Sequence, residues 1–242
     1  MIRAFLAISL AVVLIVFLGT PLLVYCLLSR ETDTMYGVGI WACRTVLRVA
    51  GIRVQTAGGE KIPTGRAVVF MPNHQSNCDP PALLTVLPPV LVMAKKGLFA
   101  VPILGHAMRL RGFVPVDRQN RERAMQAIEE GARAVAAGHS FMIYPEGKRT
   151  SDGRLLPFKR GAFVLAIKGR APIVPISISG AHKIMPKGSF AIRPGVMRVT
   201  FHDPIPTTQY SLDDRDELSD VVRRAILRGL APEEQPKSPQ GG

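Results

Sequence analysis

Hydrophobic positions are spread unevenly along this chain. From Ala4 to Ser29 no residue is charged, and Arg3 and Arg30 bound the run of 26 residues. At about 1.5 Å per helical residue the run reaches roughly 39 Å, more than the ~30 Å hydrocarbon core of a bilayer. A cleaved signal peptide would carry an apolar region of only about 7–15 residues before a small-residue cleavage site. The pattern therefore predicts an uncleaved membrane anchor over residues 1–33, which Pro21 can kink or turn back. Tyr25 before Cys26 does not fit a lipoprotein site, and Arg3 and Arg30 nearly balance, leaving orientation open. Residues 34–56 set Val38, Trp41 and Leu47 among Arg44, Arg48 and Arg53, the pattern of an amphipathic segment, either a surface helix packed on the domain or an interfacial one with Trp and Arg at headgroup level.

From Arg66 onward short apolar runs alternate with longer helical ones. Ala67–Met71, Phe113–Val116, Phe141–Tyr144 and Ile173–Ile178 are short and rich in Val, Ile and Phe, and are predicted as strands. Pro80–Leu87, Arg121–Ala137 and Phe158–Gly169 are predicted as helices. In the second, Met125, Ile128, Ala132 and Val135 recur at helical spacing and Gly138 ends the run. Strand–helix alternation implies an α/β fold, a largely parallel sheet flanked by helices, over residues 57–230. Residues 231–242 carry no periodicity and are expected to form a disordered tail.

Composition narrows the partners. The 242 residues include 31 Lys plus Arg against 18 Asp plus Glu, a net charge of +13, which favours an anionic partner. Residues 93–170 hold 15 of the cations and 6 of the acids, so most of the excess sits there. Nucleic acid is not favoured, because stacking aromatic motifs and a helix-turn-helix signature are missing. Three scattered cysteines make neither a disulfide scaffold nor a zinc site. No G-x-S-x-G, P-loop or H-E-x-x-H occurs.

Chemistry in α/β folds gathers beyond the carboxyl ends of the strands, and two polar turns fall there. The first predicted strand runs into Asn73-His74-Gln75-Ser76-Asn77-Cys78-Asp79-Pro80-Pro81. On a regular helix His74 and Asp79 would lie about 140° apart, and the two prolines forbid such a helix. A loop entering a helix, with Asp79 as N-cap and Pro80 first, instead lets the carboxylate return to the imidazole. One ring nitrogen would then be held protonated and the other freed as a general base. The third predicted strand ends in Tyr144-Pro145-Glu146-Gly147-Lys148-Arg149-Thr150, where backbone donors and a guanidinium can meet a phosphate. Cys78, four residues after His74, raises a rival thiol nucleophile; a small apolar filler is the plainer account. His106, His139, His182 and His202 lack an acidic partner at the same spacing and are expected to be structural.

The order of these blocks resembles the membrane glycerolipid acyltransferase family, most closely its bacterial 1-acylglycerol-3-phosphate acyltransferases. NHQSNCD is similar to its NHxSxxD block, GFVPVDR to the second, YPEGKRT to FPEGTRS, and IVPISI to the proline-containing fourth, in order over roughly Val54 to Pro206. The resemblance implies that His74 and Asp79 are catalytic and that Arg118, Glu146, Gly147 and Arg149 serve glycerol-phosphate binding. Met93-Ala94-Lys95 resembles a segment whose lysine reaches the phosphate. Lys148 and Thr150 replace the usual threonine and serine, which bears on head-group preference. The implied reaction moves an acyl group from acyl-CoA or acyl carrier protein to the sn-2 hydroxyl of lysophosphatidate, without metal or cofactor. It implies a place at the inner membrane, in contact with membrane lipid, with the site facing the cytoplasm. The alternatives are another lyso-lipid acceptor, such as a lyso-ornithine lipid, and a non-catalytic membrane-tethered module binding anionic lipid.

Overall fold

The computed structural model describes residues 2–189 and 191–236. Three helices open the chain, α1 (Ile2–Phe17), α2 (Gly19–Ser29) and α3 (Asp33–Val49). Ile2–Ser29 forms a 28-residue apolar helical stretch that passes the length and composition test for a membrane span. Only Leu18 interrupts it; the Leu18 amide still donates to Leu14 O at 3.0 Å and Leu22 to Leu18 O at 3.2 Å. Pro21 lies just past the break and has no amide to offer Phe17, which weakens the ladder there. Phe5, Phe17 and Leu28 point outward, while Ala4, Ala7 and Cys26 pack inward.

The amphipathic helix is shorter than expected. It stops at Val49, and Gly51 at φ 73° turns the chain into strand β1 (Ile52–Ala57), so residues 52–56 belong to the sheet. Six further strands follow with their helices: β2 (Val69–Pro72), α4 (Asp79–Leu84), β3 (Leu91–Lys95), α5 (Leu104–Leu110), β4 (Val114–Val116), α6 (Arg121–Ala136), β5 (Phe141–Met142), α7 (Arg160–Gly169), β6 (Ile173–Ser179), α8 (Ala181–Ile184), β7 (Gly195–Phe201) and α9 (Arg215–Arg228). Among the described residues the seven strands form one sheet, in the order β1-β7-β6-β2-β5-β3-β4. All neighbouring pairs are parallel except β6 with β7. The expected largely parallel sheet is therefore present, and β1 and β7 run against the other five strands.

Helices cover both faces, which explains why β2 is apolar at every position. Val69 and Met71 face a core shared with α6, α7 and α9; Phe70 faces one shared with α3 and α4. Each fully buried side chain of this size contributes about 1.5–3 kcal/mol relative to exposure. Parallel pairing of β2, β3, β4 and β5 has one consequence for chemistry: all four release their following loops at the same edge of the sheet.

The segment expected to be disordered from Ala231 on is structured over its described part. Pro232–Glu234 forms a 3₁₀ turn, and Glu234 is 1% exposed. The turn is fixed by hydrogen bonds that a search for apolar periodicity does not detect. Residues 237–242 of that expected tail lie outside the described residues.

Candidate active site

The loop leaving β2 carries His74 into α4. Asp79 is the first residue of that helix, and its side chain makes no forward cap. Instead one carboxylate oxygen turns back, accepting from Gln75 N at 2.7 Å and Ser76 N at 2.7 Å and meeting His74 Nδ1 at 2.8 Å. The expected N-cap role is thus replaced by a local clamp, because the prolines that follow Asp79 have no amides for its carboxylate to cap. An ionised carboxylate only accepts hydrogen bonds, so Nδ1 carries the proton and Nε2 presents its lone pair. His74 is 8% exposed, and its ring stacks on Tyr144 with centroids 4.0 Å apart.

The turn after β5 closes over this loop. Thr150 N donates to His74 O at 3.0 Å, which brings the Arg149–Thr150 backbone against the imidazole-bearing residue. Gly147 holds φ 68°, a left-handed conformation that costs glycine little, and its amide donates to Tyr144 O at 3.1 Å. It shapes the turn that carries Arg149.

Glu146 departs from the expectation of substrate binding. It is 1% exposed, and its two carboxylate oxygens accept from His74 N at 2.7 Å and Leu156 N at 3.0 Å. Burial pushes its carboxyl up to about 7, against the opposing pull of those two amides. Both oxygens are used by backbone, so Glu146 ties the two loops together and does not face a ligand.

Lys95 ends β3 opposite Val116 of β4, and Arg118 follows that register partner by two residues. Both side chains are exposed at the edge where the His74 loop emerges. Arg149 is half-buried, and partial desolvation together with the field of Arg149 lowers the pKa of Arg118. The two guanidinium groups thus lie within each other's field at this edge of the sheet.

Beside the loop opens an apolar cavity of about 440 Å³. Asn77, Cys78 and Pro81 form its wall nearest His74, and Leu14, Leu22 and Leu47 line it from α1, α2 and α3. Cys78 is buried, and burial pushes its thiol up to about 11, leaving it protonated near neutrality and unsuited to be a nucleophile. Two buried polar atoms beside His74 have no hydrogen-bond partner, Asp79 Oδ1 and the Tyr144 hydroxyl.

Two elements escaped the sequence reading. Gln75 is fully buried; its side chain donates to Gly153 O at 3.0 Å and accepts from Ala181 N at 3.0 Å. His182, which lacks an acidic partner at the His74–Asp79 spacing, meets one from far along the chain, Glu234 Oε1, at 3.3 Å. Their partners lie 52 to 106 positions away, so no local spacing could reveal them.

A family model described as Acyltransferase matches residues 53–179. The chain is 35% identical over 224 residues to a chloroplastic 1-acyl-sn-glycerol-3-phosphate acyltransferase of Brassica napus, covering 91% of this chain and 63% of the relative. It is 32% identical to the enzyme of that name from Limnanthes douglasii, covering 79% and 68%, and 35% identical to the human alpha form, covering 73% and 63%. The chain thus spans about two thirds of these relatives' length. The crystal structure of the 1-acyl-sn-glycerophosphate acyltransferase PlsC from Thermotoga maritima superposes with a TM-score of 0.82 at 27% identity, covering 94% of this chain and 93% of that one. On the family match and these identities, the chain belongs to the Acyltransferase family.

Proposed function

We propose that this protein transfers a fatty acyl group from a thioester donor, acyl-CoA or acyl carrier protein, to the sn-2 hydroxyl of 1-acylglycerol 3-phosphate, giving phosphatidate. The relatives' names supply the acceptor and the class of reaction. One observation carries the mechanism: His74 Nδ1 sits 2.8 Å from a buried carboxylate, in the loop that borders the apolar cavity.

In this reading Nε2 of His74 takes the proton of the acceptor hydroxyl as its oxygen attacks the thioester carbonyl. The new ester C–O bond forms, the C–S bond breaks, and the leaving thiolate recovers the proton from the imidazolium. Asp79 fixes the tautomer and steadies the transient cation. General-base catalysis of this kind contributes typically about 10²–10⁴-fold, so positioning supplies the rest. Arg149, Arg118 and Lys95 would hold the acceptor phosphate, and the apolar cavity would house an acyl chain.

Both acceptor and product are bilayer lipids, which gives the Ile2–Ser29 helix a purpose as anchor and α3, with Trp41 exposed, one as a surface helix. Residues 1–33 then form the anchor, and the sheet with its helices from Ile52 to Leu230 forms the catalytic domain. A donor carried on CoA or carrier protein sets the site on the cytoplasmic face of the inner membrane. The test offers labelled acyl-CoA and acyl carrier protein to the purified protein with a panel of lyso-lipids. The expected product is phosphatidate; exclusive acylation of a lyso-ornithine lipid would replace the acceptor, and no transfer with intact lipid binding would favour a non-catalytic module.

A further inference from the structure

Glu234 lies on the 3₁₀ turn that follows α9, far in sequence from the catalytic loop. Its carboxylate accepts from Gly180 N at 2.8 Å and Ala231 N at 3.2 Å, and the same residue's carbonyl accepts from Leu155 N at 3.1 Å. It also meets His182 Nδ1 at 3.3 Å. The His182 ring packs against Gly153, where a Cβ would fall 2.5 Å from Nδ1. Glu234 therefore holds two turns at once, Gly180–His182 at the end of β6 and Gly153–Leu155 beyond the Arg149 turn.

Those two turns supply both partners of the Gln75 side chain, Ala181 N and Gly153 O. Gln75 is the neighbour of His74, and its own amide is bound to Asp79. Leu156, next to Leu155, donates to the Glu146 carboxylate that also accepts from His74 N. Two separate hydrogen-bonded routes thus run from Glu234 to the residues flanking the imidazole.

We propose that the Glu234–His182 pair is a positioning clasp for the catalytic loop, setting the reach of His74 toward the acceptor hydroxyl without touching substrate. The claim rests on the reading of His74 as the base. Loss of the buried carboxylate leaves the Gly180 amide without its acceptor and His182 Nδ1 with only Gln75 Oε1, at 3.5 Å; the Gly180–His182 turn that grips Gln75 relaxes, while the main-chain bond from Leu155 N to Glu234 O stays. A misplacement near 1 Å costs about 10²-fold in a reaction that depends on orientation.

The experiment measures acyl transfer, thermal unfolding and the His74 imidazole NMR signals in wild type, Glu234→Ala and Glu234→Gln. Glu234→Ala is expected to lower kcat about tenfold or more while KM for the acceptor stays within about twofold. Glu234→Gln keeps an acceptor for Gly180 and is expected to recover most of that loss. The His74 signals are expected to shift in the alanine variant and to return toward wild type with glutamine. Gly153→Ala supplies a second test: its Cβ collides with His182 and its φ of +86° strains the turn whose carbonyl holds Gln75, with the charges left in place; the folded variant is expected to show a fall in kcat. Wild-type kcat in folded Glu234→Ala or Gly153→Ala protein, a loss confined to KM, or an unmoved His74 signal overturns the clasp. The NMR readout decides the matter even where wild type transfers no acyl group, an outcome that defeats the functional reading separately.

Discussion

His74 and His182 each hold Nδ1 near a buried carboxylate, 2.8 Å from Asp79 and 3.3 Å from Glu234, and their side chains are exposed to a similar small extent, 10% and 15%. Pairing and exposure do not separate them; surroundings do. Asp79 is five residues from its partner and is clamped by amides of the same loop, so carboxylate and imidazole form one rigid unit. Asn77 and Cys78 of the same loop line the apolar cavity, and the loop shares its sheet edge with Lys95, Arg118 and Arg149. Glu234 comes from 52 residues away, and no residue of α8 lines the cavity. In the proposed reading a histidine serves as a base where an orienting acid, a chain-sized apolar space and a cluster of cations converge, and the second pair has only the first.

Substitutions at these two sites and around them should widen or close that gap. Apart from removal of the imidazole itself, the largest effect is expected for Asp79→Asn. An amide in place of the carboxylate no longer favours the Nδ1–H tautomer, and kcat should fall by about 10²-fold or more with little change in acceptor KM. Equal turnover in steady-state assays would remove the orienting role. Next, Arg149→Ala should raise KM for lysophosphatidate by about tenfold, the scale of one lost charge-assisted hydrogen bond. Arg118→Ala should do less, because that side chain is the more exposed of the two. Titrating KM against salt would check both, since a phosphate contact weakens as salt rises.

Glu146 sharpens the same comparison through pH. Its carboxyl is raised to about 7 by burial from an ordinary 4.5. A raised value stabilises the fold fully below the unfolded pKa and loses that contribution as pH climbs through the folded one. Relative to Glu146→Gln, wild type should therefore lose stability between about pH 4.5 and 7 and run parallel to it above, as read by chemical denaturation across pH. A constant difference throughout would contradict the assignment. The smallest effect belongs to Cys78→Ala: with its thiol protonated near neutrality, turnover should persist with kcat lowered by less than about threefold. Complete loss would restore the thiol as nucleophile.

Much of this arrangement was legible before any coordinates. The four predicted strands hold because buried parallel strands are apolar on both faces, as Val69, Phe70 and Met71 show. Strand β7 carries no continuous apolar run: Met197, Val199 and Phe201 are buried and alternate with outward Arg198 and Thr200, a half-buried pattern that a search for continuous apolar runs passes over. Residues 52–57 went unread as a strand because only Ile52 is buried there, at an edge of the sheet. The His74–Asp79 pair was readable since both partners sit in one loop. The substrate role of Glu146 rests on the family resemblance alone, whereas in the fold its partners are amides 72 and 10 residues away. The Glu234 turn was invisible for the same reason, as hydrogen bonding at long range leaves no periodic trace.

The most direct measurement compares wild type with His74→Ala on two readouts, transfer of a labelled acyl group from acyl-CoA to lysophosphatidate and retention of lysophosphatidate on the protein. The account predicts that turnover falls by about 10²–10⁴-fold while the lipid is still bound. Unchanged turnover in the variant would contradict it.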